Sequence, residues 1–198
     1  TRKATPYGMQ MARYFAGELA KYGVTVVSGG ALGIDTASHL GALEAGGKTV
    51  AILGCGINTR YLNENEQLRA RIAGQGVVIS EFPPDTPALP SHFPMRNRII
   101  SGLSRGVLVV EAGVKSGSLI TAQDALDEGR DVFAVPGNLN SPKSGGTNAL
   151  IRTSAKLVGC VADILEEYYD ILPDTLTVTP PELSEPEMRQ NDGVKAAQ

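Results

Sequence analysis

The sequence predicts a doubly wound α/β domain with a mostly parallel sheet, and three observations predict it. Short apolar runs rich in valine and isoleucine recur along the chain, helical patterns separate successive runs, and glycines stand at several of the expected helix ends. The apolar runs lie at 24–27, 50–53, 77–79, 107–110 and 132–135. None alternates cleanly between apolar and polar, as expected of strands buried on both faces. The helical patterns lie at 6–22, 36–45, 64–73, 97–103 and 119–127; in the first, Met11, Tyr14, Phe15 and Leu19 form the apolar stripe. Gly23, Gly46, Gly76 and Gly129 are expected to end helices in the left-handed conformation. A domain of this class opens with a strand in a central sheet position, and Thr1-Arg2-Lys3 reads as the loop after it. The strand itself does not precede Thr1 here, so the sequence reads as a fragment; were the strand truly absent, a central slot would be vacant, with unpaired ladder groups on its neighbours.

One domain is expected over 1–169. The segment 170–198, with Pro173, Pro180, Pro181 and Pro186 among acidic and polar residues, reads as a linker or tail. Charge divides the same way. Residues 1–162 carry 16 Lys/Arg against 12 Asp/Glu, a net +4; residues 163–198 carry 2 against 9, a net −7. A mildly basic body with an acidic tail keeps an anionic partner possible despite the overall charge of −3, because the local field decides. No apolar run of about 18 residues predicts a membrane span, and Thr1 to Pro6 lacks the apolar stretch of a secretory signal. Cys55, Cys160, His39 and His92 have no metal-ligand spacing. A reducing cytoplasm suits this composition, and neither metal nor cofactor is expected.

Ligands of such sheets bind at the carboxyl ends of the strands. Here those ends carry Ser28-Gly29-Gly30-Ala31-Leu32-Gly33, Gly54-Cys55-Gly56, Ser80-Glu81, Glu111-Ala112-Gly113 and Pro136-Gly137. Ser28, Gly29 and Gly30 precede a helix, where backbone N–H groups approach an anion closely, so phosphate contact and a merely tight turn both fit. The spacing is not G-x-G-x-x-G, and Asp35 is expected to cap the helix. Lys115, Ser116, Gly117 and Ser118 open another helix, with a cation and two hydroxyls that cap it or hold phosphate. Phe93-Pro94-Met95-Arg96-Asn97-Arg98 joins an aromatic suited to base stacking with two guanidinium forks suited to phosphate. Solvated arginines on a surface helix are its plainer reading. Arg2 and Lys3 belong to the first strand-to-helix loop, Tyr61 and Asn65 flank a helix start, and Lys143 with Ser144-Gly145-Gly146-Thr147 reads as a flexible basic loop. For catalysis the inventory is thin. There is no G-x-S-x-G, no Walker A sequence and no H-E-x-x-H; Glu81 and Glu111 stand at strand ends without an evident partner, and His39 reads as structural.

Together these segments resemble the DNA-processing protein A family (DprA, also called Smf). The resemblance rests on Thr1-Arg2, Tyr7-Gly8, the run from Val27 to Asp35, Ser80-Glu81-Phe82-Pro83, the run from Phe93 to Ser104, Val109-Val110-Glu111-Ala112, Ser116 to Ala122, and Phe133-Ala134-Val135-Pro136-Gly137, all in family order. It implies an extended Rossmann-like domain that binds single-stranded DNA, protects incoming strands in natural transformation, loads the recombinase RecA and forms a homodimer. The positive pocket it implies takes Arg2, Arg96, Asn97 and Arg98 for phosphate, Phe93 for a base, and the two glycine- and serine-rich helix starts. It implies no enzymatic activity. Tyr61-Leu62 departs from the family's tyrosine–proline, and the proline-rich acidic tail reads as a lead toward the winged-helix domain that the resemblance implies. Leu172 and Leu176 are candidates for a dimer surface. The alternative is a Rossmann-fold nucleotide-binding protein or a nucleotide phosphoribohydrolase. The P-G-G-x-G-T-x-x-E segment of the latter has no match here, because Pro136-Gly137-Asn138-Leu139 breaks it and the run from Gly145 to Leu150 supplies no glutamate.

Overall fold

Six parallel strands and seven α-helices alternate along the chain in a computed structural model that describes residues 1–61 and 63–171. In order these are α1 (Pro6–Lys21), β1 (Val26–Ser28), α2 (Ile34–Glu44), β2 (Thr49–Leu53), α3 (Glu66–Gln75), β3 (Val77–Ser80), α4 (His92–Gly102), β4 (Gly106–Val109), α5 (Ser118–Asp127), β5 (Asp131–Ala134), α6 (Gly145–Thr153), β6 (Lys156–Leu157) and α7 (Ala162–Leu165). Every pairing is parallel, as the unalternating apolar runs predict. The tail expected at 170–198 lies, from 172 on, outside the described residues, as do the dimer candidates Leu172 and Leu176.

The strands form two half-sheets, β1-β2-β3 and β4-β5-β6. Between β1 and β4 runs a cavity of about 1180 Å³ whose inner walls include Val24, Val26, Val107, Leu108, Phe133 and Leu165. A slot thus separates the two half-sheets. In a parallel ladder a residue's N–H and C=O share one side, and Val26 N–H reaches back to Lys48 C=O toward β2. Val27 on β1 therefore faces the slot, and by the same alternation so does Leu108 on β4, since Val109 C=O accepts from Val135 N–H on the β5 side.

Burial on both faces is explicit in β5. Val132 and Ala134 pack in one apolar cluster with Ala122 and Ala125 of α5, whereas Phe133 and Val135 pack in another with Ala12 and Phe15 of α1. A third cluster joins Leu43 of α2 and Ala51 of β2 to Leu68 and Ile72 of α3. Helices α1 and α2 approach closely because Gly41 has no side chain; a Cβ there would stand 2.9 Å from the Arg13 carbonyl carbon.

Several expectations shift. Gly23, Gly46 and Gly129 have φ of 75°, 75° and 67°, as helix ends require. Gly76 instead has φ −154°, extended backbone, and its missing side chain makes room for the Thr49 carbonyl. Helix α4 starts at His92 rather than 97, since Pro94 falls in the first turn, where its lacking N–H has no helical partner to lose. The basic loop at 143–147 is the start of α6, held by Gly146 N–H on Ala112 C=O at 2.8 Å. β6 and α7 had no apolar run long enough to announce them.

Candidate functional site

The cavity opens at the carboxyl ends of the strands, where three loops and α4 meet. Phe93 sits half-buried there, over Gly54 at the end of β2; a Cβ on Gly54 would stand 2.8 Å from its ring. The Arg2 guanidinium lies 4.6 Å above the Phe93 centroid and that of Arg96 5.9 Å from it, both within cation–π range. Tyr61 packs against the same ring, centroids 5.4 Å apart and tilted by 41°. Arg69 donates to the Tyr61 carbonyl at 2.9 Å and so holds that loop.

The two arginines of α4 differ in kind. Arg96 is 5% exposed. Its Nη1 donates to the carbonyls of Gly29, at 2.7 Å, and of Ile52, tying the loop after β1 to the neighbouring strand. Burial lowers the Arg96 pKa, and Asp35 opposes that shift. Arg98 is exposed and ion-paired with Glu81. Asn97 accepts from Arg96 Nε at 3.2 Å.

The glycine turn is held from several sides. Asn65 Nδ2 donates to Gly30 C=O at 3.1 Å, and Asp35 Oδ2 accepts from Ala31 N–H at 3.1 Å. Asp35 thus braces the turn instead of capping α2, whose N-cap is Gly33 at φ 83°. A Cβ on Gly33 would meet the backbone of Thr1 and Arg2. At α5 the N-cap is Gly117, with no side-chain cap; Ser116 and Ser118 hydroxyls bond each other at 2.8 Å. Ser118 N–H reaches Ser116 Oγ at 3.4 Å, and the N–H groups of Leu119 and Ile120 reach the carbonyls of Ser116 and Gly117 at 3.1 Å each, so the start of α5 is held within its own turn.

The cavity wall brings together Arg2, Ser28, Gly29, Phe93, Arg96 and Asn97 with Ser116, Gly117 and Ser118 of the other half-sheet. It does not include Gly30, Arg98 or Lys115. Two residues carried no sequence signal for this role: Tyr61 lies on a loop far in sequence from Phe93 of α4, and Glu111, read as an acid–base candidate, accepts from Thr5 and clasps the amino-terminal loop. His39 is fully buried, its Nδ1 2.7 Å from Thr49 Oγ1; burial lowers its pKa to about 4, so it is structural and neutral. Among the described residues no cluster of His, Cys, Asp and Glu could hold a metal ion, and no helix is long and apolar enough to cross a membrane.

A half-buried aromatic beneath a guanidinium, in a cleft at the strand ends, marks this as a doubly wound α/β protein with a guanidinium-lined cleft. The chain belongs to the DNA recombination-mediator protein A family, which it matches over residues 1–169. It is 47% identical over 167 residues to the DNA processing protein DprA of Bacillus subtilis, covering 84% of this chain and 56% of that protein. In structure it is similar to DNA processing protein A of Streptococcus pneumoniae, with TM-score 0.78 and 42% identity, over 84% of this chain and 59% of that one. It is also similar to DNA processing protein A of Helicobacter pylori, with TM-score 0.76 and 33% identity, over 84% and 76%; that structure describes a single-stranded DNA binding mode. The chain thus spans little more than half the length of the B. subtilis relative.

Proposed function

We propose that this chain binds single-stranded DNA in the cleft around Phe93, as part of a recombination mediator that protects incoming strands in natural transformation and loads RecA. The carrying observation is Arg2 over Phe93 on a cavity wall shared with Ser116, Gly117 and Ser118 at the start of α5. Guanidinium groups neutralise phosphates and release counterions, about 0.7 log unit of salt slope for each phosphate of a single strand. A base stacked on the Phe93–Tyr61 pair adds about 1–3 kcal/mol without demanding a sequence. The flexible backbone of a single strand follows such a concave rim, whereas a stiff duplex does not. The H. pylori relative's single-stranded DNA binding supports the same ligand for this chain.

In this reading Arg2 and Arg98 meet phosphate, Ser28, Gly29, Gly30, Asn97 and the Lys115–Ser118 start of α5 offer N–H and hydroxyl donors, and Arg96 holds the wall. The chain acts as a homodimeric binding protein in the cytoplasm, without catalysis or cofactor. Fluorescence anisotropy of labelled oligo-dT against a matched duplex, over a salt series, tests the reading. Salt-sensitive preference for the single strand supports it; equal affinity for duplex, or saturable mononucleotide binding without oligonucleotide binding, overturns it.

A further inference from the structure

Glu111 follows β4 and is 5% exposed, yet among the described residues no cation pairs with it. Its bonds all go to the first five residues. Oε2 accepts from Thr5 N–H at 3.1 Å and from Thr5 Oγ1 at 2.5 Å, while its backbone carbonyl accepts from Thr1 Oγ1 at 2.6 Å. Thr5 Oγ1 also caps α1 by accepting from Gly8 N–H at 3.0 Å, so the carboxylate sits at the positive end of that helix. The approach needs Gly8, where a Cβ would stand 2.5 Å from Oε2. From the other side Thr1 C=O accepts from Ile34 N–H at 3.2 Å. Both ends of the loop are therefore fixed to one residue, and Arg2 lies between them, over Phe93.

We propose that Glu111 is a positioning residue for DNA binding: by clasping Thr1 and Thr5 it holds Arg2 over Phe93, where a phosphate is neutralised. The inference rests on the single-stranded DNA reading above. It predicts a sign that charge alone does not. Deleting a carboxylate beside a polyanion site would by itself tighten binding; loss of the carboxylate's hold on Thr5 loosens it, because the Arg2 loop is then anchored only at Thr1, through the Glu111 backbone carbonyl and Ile34 N–H.

The test is a double-mutant cycle with labelled oligo-dT over a salt series, using Arg2→Ala, Glu111→Ala and the double variant, each checked for a cooperative thermal melt. Arg2→Ala is expected to weaken binding about tenfold, the scale of one charge-assisted contact, and to reduce the salt slope by about 0.7. Glu111→Ala is expected to do the same, the double variant to do no more than Arg2→Ala, and Glu111→Gln to restore most of the affinity through its remaining carbonyl acceptor. Should Glu111→Ala fail to fold, Thr5→Val takes its place in the cycle, removing the hydroxyl half of the clasp while Thr5 N–H stays on the carboxylate, and is expected to give a smaller loss in the same direction. Additive losses, an unchanged salt slope or tighter binding by Glu111→Ala overturn the positioning role alone. A folded wild type that does not bind oligo-dT overturns the DNA reading itself.

Discussion

Arg96 and Arg98 stand two positions apart and look equivalent in sequence, but they act by different physics. Replacing Arg96 by Ala strands the carbonyls of Gly29 and Ile52 in the interior, which costs about 2–6 kcal/mol at a penalty of about 1–3 for each unsatisfied group. Replacing Arg98 by Ala removes only an exposed ion pair with Glu81, worth about 0–1 kcal/mol. Urea melts are expected to separate the two variants by that margin, while in the binding assay Arg98→Ala lowers the salt slope without loss of fold. His39 gives the pH dependence. Thr49 Oγ1 donates to Val26 C=O, so it accepts from Nδ1–H of a neutral ring whose Nε2 has no partner. A folded pKa of about 4, below the ordinary 6.5, means that the unfolded chain binds the extra proton. Its contribution is complete above pH 6.5 and is lost as pH falls toward 4, up to about 3 kcal/mol. Stability measured at pH 7 and pH 4.5 is expected to differ less in His39→Asn than in the wild type.

At the scale of elements, the α1–α2 crossing depends on Gly41. In an isolated helix Gly→Ala stabilises by about 1 kcal/mol, but here the added methyl meets the Arg13 backbone of α1, and overpacking costs about 1–3 kcal/mol. Gly41→Ala is therefore expected to lower the midpoint of urea unfolding. The strands of Val and Ile and the first five helices were legible because periodicity and glycine ends are local properties. Helix α6 was not, because Gly145-Gly146-Thr147 reads locally as a loop, and what makes it helical is an N–H bond from Gly146 to Ala112 across the half-sheet. The turn at Asp35 was misread for a related reason. Its carboxylate chose the Ala31 N–H over a cap because Gly33, at positive φ, turns the chain back toward it.

For the whole molecule, charge is the quantity that acts at a distance. Removing 172–198 takes away five acidic and two basic residues, a net −3, and leaves the remaining chain neutral. Single-stranded DNA is expected to bind the shortened chain more tightly at low salt, with the difference vanishing as the Debye length shrinks to about 3 Å near 1 M.

The sequence by itself determined the parallel α/β class and the small and polar residues that gather at the strand ends, since strand periodicity, helix punctuation and residue chemistry at strand ends are written in short segments. It also placed Phe93, Arg96 and Arg98 in one segment of interest. Only the tertiary structure decided their roles. Burial made Arg96 a brace, exposure kept Arg98 at the rim, and Glu111 became the clasp of a loop to which it is distant in sequence. Those outcomes depend on which carbonyls and hydroxyls arrive nearby when the half-sheets pack, a property of three-dimensional neighbours that no local pattern encodes.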